Sequence, residues 1–141
     1  MSNFNMVSQF LKDFSFESPN VPEIFFNQEN AQAKMEINVD LQVKGADGGL
    51  YMTDLILKIH SKLEKDDKTI FMIETTFTGL AQVAEGTSED DIKKITLIEV
   101  PRLIFPFVRA LVARATAESG TPPIVLQPID FQKLYDEKNP Q

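Results

Sequence analysis

From Met35 to Val43 the chain alternates without a fault. Met35, Ile37, Val39, Leu41 and Val43 fall on one side, and Glu36, Asn38, Asp40 and Gln42 on the other. Period-2 alternation marks a strand with one buried face. Gly45-Ala46-Asp47-Gly48-Gly49 then predicts a turn. Alternation resumes over Thr53–Leu63, where Leu55, Leu57 and Ile59 oppose Asp54, Lys58 and His60. After the charged turn Glu64–Lys68, a third long strand is predicted over Ile70–Thr78. Phe71, Ile73, Thr75 and Phe77 face one way in it, and Met72, Glu74 and Thr76 the other. Short turns between long strands predict an antiparallel meander.

Upstream, Phe14 and Phe16 alternate with Asp13, Ser15 and Glu17, which predicts a short strand ended by Ser18-Pro19-Asn20. Residues 1–11 and 138–141 are expected to be flexible. Residues 19–33 read as a long connection that carries Ile24, Phe25 and Phe26 and then the polar run Asn27-Gln28-Glu29-Asn30. A connection of that length inside a compact domain is uncommon and often functional.

The second half is helical in character. Ser88-Glu89-Asp90-Asp91 resembles a capping box and predicts a short helix through Leu97. Pro101–Gly120 predicts a long helix, with Pro101 or Pro106 at its first position, where a missing N–H does no harm. If Pro101 starts it, Pro106 kinks it. Gly120 suits the C′ position, and Pro122-Pro123 prevents continuation. Over the first fifteen residues of this segment the only charges are Arg102, Arg109 and Arg114, and apolar residues surround the axis. Such a helix must be buried on more than one side. One sheet covers one side, so the spare face points to a second subunit or an apolar client. Ile124–Ile129 reads as a short extended loop. Asp130 caps a last amphipathic helix with Phe131, Leu134 and Tyr135 facing inward. Strands first and helices after predict an α+β fold.

At 141 residues the chain is expected to form one domain with a real core. Twenty-one acidic against 14 basic residues give a formal net charge of -7. That disfavours nucleic acid, whose binding rests on phosphate neutralisation, and anionic membrane surfaces. It permits a basic or zinc-bearing partner. No cysteine is present, which excludes disulfides, thiolate catalysis and Cys-ligated zinc. The N-terminus lacks a basic segment followed by an apolar run, and no apolar stretch reaches the ~18 residues that span a bilayer. A cytoplasmic protein is expected by default.

Little here promises catalysis. His60, the only histidine, sits between Lys58 and Lys62 on a polar face and reads as a solvated surface residue. A nucleophilic triad needs a His base oriented toward Ser or Thr, and no G-x-S-x-G elbow occurs. No His, Asp or Glu cluster has metal-ligand spacing. Gly48-Gly49 precedes no helix N-terminus and is no phosphate loop. No enzyme activity, cofactor or metal site is expected, which leaves binding. Asp13 and Glu17 share a strand face, as do Met72 and Glu74. If those strands are neighbours, they form an acidic patch with one exposed sulfur in it. A solvated sheet face carries charges anyway, so the pattern alone leaves both readings open.

Three segments resemble the bacterial protein-export chaperone family SecB. Asp13-Phe14-Ser15-Phe16-Glu17-Ser18-Pro19-Asn20-Val21-Pro22 resembles its first-strand signature. Pro101-Arg102-Leu103-Ile104-Phe105-Pro106-Phe107-Val108-Arg109 resembles its long-helix motif. Thr121-Pro122-Pro123 through Leu126-Gln127-Pro128-Ile129-Asp130-Phe131 resembles its following loop and final helix start. The three occur in family order with fitting spacing, over roughly residues 10–137.

The resemblance implies a four-stranded, Greek-key-like antiparallel sheet with a long helix and a short C-terminal helix on one face. It implies an ATP-independent holdase, a homotetramer built as a dimer of dimers, that holds unfolded precursor proteins in hydrophobic grooves. It also implies docking on the export ATPase SecA, whose zinc-bearing segment meets an acidic sheet surface at positions matching Asp13, Glu17, Met72 and Glu74. Groove positions match Ile24, Phe25, Phe26, Leu126, Ile129, Phe131, Leu134 and Tyr135, each of which also suits ordinary core packing. Subunit contacts are expected at Ile73, Thr75, Phe77, Phe107, Arg109, Leu111 and Arg114. The two arginines are expected to be paired or at the interface edge.

Two departures bear on these expectations. Family members often carry an aromatic in the connection where this chain has Gln28 and Glu29. The chain also ends soon after Tyr135, so contact with SecA through a polar tail is expected to be weaker. Two other readings fit the same layout. One is a SecB-like chaperone for a non-export client such as a toxin–antitoxin pair. The other is a sheet protein that binds a small ligand near His60.

Overall fold

The computed structural model describes residues 3–26 and 32–139. The polar run Asn27–Asn30, with Gln28 and Glu29, lies outside them. Four strands, β1 (Phe4–Glu17), β2 (Ala33–Ala46), β3 (Leu50–Leu63) and β4 (Thr69–Val83), share one sheet. Their order is β1-β4-β3-β2, and all three pairings are antiparallel. β2, β3 and β4 form the expected meander, and β1 lies beside β4 in a Greek-key arrangement. The helices α1 (Glu89–Lys94), α2 (Val100–Ala117) and α3 (Phe131–Lys138) follow. The class is α+β, as expected.

β1 differs from the sequence reading. It starts at Phe4 and not at Asp13, so most of the segment expected to be loose is strand. Its inward positions pair as Phe4↔Val83, Met6↔Ala81, Gln9↔Gly79, Leu11↔Phe77, Phe14↔Thr75 and Phe16↔Ile73. Their spacing is 2, 3, 2, 3, 2. Each step of three coincides with a register shift, between Met6 and Ser8 and between Leu11 and Asp13. A bulge inserts one residue and restores the face. Period 2 therefore fails in the sequence although the strand continues. At the other end, α3 runs through Lys138, which had been expected to be flexible.

The core lies between the inner sheet face and α2. Leu55, Leu57 and Ile59 of β3 and Phe71, Ile73 and Phe77 of β4 pack with Ile104, Phe105, Val108 and Val112 of α2. The buried α2 positions recur at helical spacing and form one seam. Gly79 permits that approach, since a Cβ there would stand 2.6 Å from Val100 Cγ1. Edge-on contact of Phe105 with Phe131, at 6.1 Å between ring centroids, fixes α3 to the same core.

The short and long helices are not separate. α1 runs into a π turn, Ile95–Glu99, and then directly into α2. Ser88 caps the whole run, its Oγ accepting the Asp91 N–H at 3.1 Å. In the π turn the Val100 N–H reaches back to the Ile95 carbonyl. The Thr96 carbonyl then lacks its usual donor, and the residue that would supply one in π register, Pro101, has no N–H. The Thr53 hydroxyl donates to Thr96 O instead, at 2.8 Å in a buried setting. The expected start at Pro101 is replaced by this widened turn, which carries the proline through an unbroken helix.

Gly120 has φ +83°. It stands beyond the cap Glu118, one residue later than the C′ position expected. A Cβ at Gly120 would lie 3.1 Å from Phe25 Cζ, so the glycine also makes room for the connection after β1.

Candidate functional site

Two surfaces come out of this fold, one on each side of the sheet. The outer face is built by register. Glu17 lies opposite Met72, Ser15 opposite Glu74, and Asp13 opposite Thr76. Residues directly opposite in an antiparallel pair project to the same side. Asp13, Glu17, Met72 and Glu74 thus share one face, as the sequence reading required. The three carboxylates are exposed, and Met72 is half-buried among them. The rows continue across the sheet: His60 and then Glu36 follow Met72, and Lys58 and then Asn38 follow Glu74. A shallow cleft of about 200 Å³ runs along these rows.

His60 is half-buried rather than freely solvated, with Nε2 2.8 Å from Thr69 Oγ1. Among the described residues no carboxylate hydrogen-bonds to the His60 ring, so His60 and Thr69 have no third member of a triad. Among the described residues, no group of three or more His, Cys, Asp or Glu side chains is placed to hold a metal.

The second surface opens on the inner side. A cleft of about 350 Å³ is lined by Ile24 and Phe25 from the connection, Met35 from β2, Leu63 from β3, and Pro122 and Ile124 from the loop after α2. Its floor includes Phe71. The loop is held by Thr116, buried near the end of α2, whose Oγ1 accepts the Ile124 N–H at 2.8 Å. Phe26, which follows Phe25 in the chain but does not line the cleft, has 74% of its surface exposed. Ser18 and Asn20 anchor the start of the connection by donating to the carbonyls of Ile70 and Thr69, at 2.9 and 3.0 Å.

The expected groove residues divide. Ile24 and Phe25 line the cleft, and Phe26 does not. Leu126 and Phe131 are core residues of the chain itself, at 5% and 2% exposure. Ile129, Leu134 and Tyr135 pack against that core and remain half-buried. Met35, Leu63, Pro122 and Ile124 were not singled out from the sequence. Met35 and Leu63 occupy inward strand positions, but nothing in the pattern shows the connection folding over them.

The expected subunit contacts also divide, and three need correction. Ile73, Thr75 and Phe77 are 0%, 1% and 7% exposed, because the inner face of β4 lies under α2. Thr75 Oγ1 is moreover spent on the Asp13 carbonyl at 2.9 Å. None of the three is available to another subunit. Phe107 is 50% exposed and stacks on Phe77, with centroids 6.1 Å apart. Leu103 beside it is 48% exposed. Arg109 and Leu111 are half-buried and Arg114 is exposed. Among the described residues neither arginine forms an ion pair. A flank of α2 beside its buried seam, carrying Leu103 and Phe107, is thus apolar and open.

Comparison with known proteins follows the same lines. The sequence model for the family described as preprotein translocase subunit SecB matches residues 1–141. The protein-export protein SecB of Rhodospirillum centenum is 37% identical over 91% of this chain and 74% of its own length. That of Caulobacter vibrioides is 34% identical over 99% of this chain and 83% of its own. A solved Mycobacterium tuberculosis SecB-like chaperone, in complex with a ChAD peptide from the HigA1 antitoxin, superposes with TM-score 0.67 over 90% of this chain and 91% of its own. At 12% identity, that likeness concerns the fold. No helix among the described residues is long and apolar enough to cross a membrane. By the family match over its whole length, this chain belongs to the SecB family of protein-export chaperones.

Proposed function

We propose that this protein is an ATP-independent holdase that keeps unfolded precursor proteins translocation-competent and hands them to SecA. The observation that carries this reading is the cross-strand register of Glu17 with Met72 and Ser15 with Glu74. It brings Asp13, Glu17, Met72 and Glu74, the positions that the resemblance implies for SecA docking, onto one exposed face. Family membership over residues 1–141 supports the same reading.

A holdase must accept many sequences, so its grip is best made of non-directional burial. The cleft at Ile24, Phe25 and Met35 offers apolar walls for that purpose. One cleft of this size is a weak site, at about 25 cal/mol per Å² of apolar area buried. Several clefts on one assembly bind a long chain far more tightly through effective concentration. The assembly proposed is a homotetramer, a dimer of dimers. Leu103, Phe107 and Leu111, with Arg114 at the end of the same stripe, supply a dimer–dimer face on α2, and Arg109 lies on the other flank of the helix. Docking of SecA on the outer face leaves the inner cleft free to release its client without nucleotide. The protein acts in the cytoplasm as a single domain, without nucleic acid and without inserting into membrane.

Light scattering with and without a chemically unfolded precursor tests the assembly and its client together. The expected result is a tetramer that gains the mass of one bound chain. A monomer with no affinity for the unfolded chain would end this reading.

A further inference from the structure

The outer face carries a feature that the docking reading does not use. Lys58 of β3 lies directly opposite Glu74 of β4, with Asn38 of β2 on its other side. Lys58 and Glu74 are both exposed and both line the outer cleft. Two other lysines of this face are engaged by carboxylates other than Asp13, Glu17 and Glu74. Lys12 bridges Asp54 and Lys62 bridges Glu36, each at 3.4 Å. Among the described residues Lys58 bridges none. Lys58 thus stays unbridged at the position opposite a carboxylate of the patch.

We infer that Lys58 attenuates docking and sets how tightly a basic partner segment holds to Asp13, Glu17 and Glu74. This rests on the reading of that face as the SecA surface. Two physical effects act together. A cation opposite Glu74 lowers the local negative potential that attracts a basic segment. When the segment arrives, Lys58 and the partner's cation compete for one carboxylate, and like charges at cross-strand distance repel. A carrier that must release its partner after each delivery benefits from a contact weakened in this way, since affinity differences between related complexes lie mostly in the dissociation rate.

The test is isothermal titration of full-length SecA into the wild-type protein and into K58Q, K58E and K44Q, at low and at high salt. Lys44 lies on the same outer face but opposite Met52, away from the patch, so K44Q controls for overall charge. K58Q is expected to bind about two- to fivefold more tightly and K58E about tenfold, with the gain fading at high salt and K44Q unchanged. Unchanged or weaker binding by K58Q and K58E, with wild-type binding intact, overturns the role of Lys58. Equal tightening by K44Q reduces it to net charge and overturns it as well. No binding by the wild-type protein removes the docking reading itself, and the Lys58 inference with it.

Discussion

The Thr116 hydroxyl accepts the Ile124 N–H at 2.8 Å while donating to the Val112 carbonyl at 2.9 Å. One buried side chain thus ties the end of α2 to the loop that walls the inner cleft. Thr116→Val keeps the shape and removes the acceptor, which leaves the Ile124 N–H without its partner. A loss of about 1–3 kcal/mol is expected in urea unfolding. Affinity for an unfolded client should fall as well, because Pro122 and Ile124 lose their fixed position.

The Thr53–Thr96 bond makes a coupled prediction. Thr53→Val strands the Thr96 carbonyl and should cost about 1–3 kcal/mol. In a Pro101→Ala background residue 101 carries an N–H able to meet that carbonyl. The same Thr53→Val change should then cost less. A double-mutant cycle in urea measures the difference, and additive losses would contradict this account of the π turn.

Phe25 separates client binding from folding. It lines the cleft at half burial and does not belong to the core cluster. Phe25→Ser should weaken binding of an unfolded precursor about tenfold. Fluorescence anisotropy reads that loss, and circular dichroism should show the fold unchanged.

A pH effect is expected at the start of β2. Lys34 Nζ lies 2.6 Å from Asp67 Oδ1. That hydrogen bond first, and the lysine charge second, hold the Asp67 carboxyl below the ordinary aspartate range, and the same contact raises the Lys34 ammonium. A depressed carboxyl stabilises the fold above its unfolded pKa of about 3.9, and the contribution is lost as pH falls through the lower folded value. The Lys34 part runs the other way, complete below about 10.4 and lost as pH rises through the raised folded value. Both groups are exposed, so the effect is small and salt-screened. An NMR titration should find Asp67 below the ordinary range, and Lys34→Ala should return it there.

Much of this fold was legible because β3 and β4 are paired on both sides and buried on one face. Leu55, Leu57, Ile59, Phe71 and Ile73 announce that face by simple alternation. β1 hid its first nine residues behind two bulges, which turn period 2 into a spacing of 2, 3, 2, 3, 2. The join of α1 to α2 was hidden for another reason. A proline normally starts a helix, and only a hydroxyl on a distant strand shows that Pro101 sits inside one. Ile73, Thr75 and Phe77 were expected at a subunit contact, although their own alternation with Met72 and Glu74 already placed them on the face under α2. The outer patch was legible once β1 and β4 were taken as neighbours. The inner cleft was not, because it joins the connection, the ends of β2 and β3, and the loop after α2, which are far apart in sequence.

The central claim is that the outer face docks SecA while the inner side holds the client. Glu74→Lys tests it most directly, in one titration of SecA onto protein already loaded with an unfolded precursor. The account predicts that the variant still suppresses aggregation of the precursor as the wild type does, yet loses SecA binding by about a hundredfold or more. SecA binding as tight as that of the wild type would contradict it.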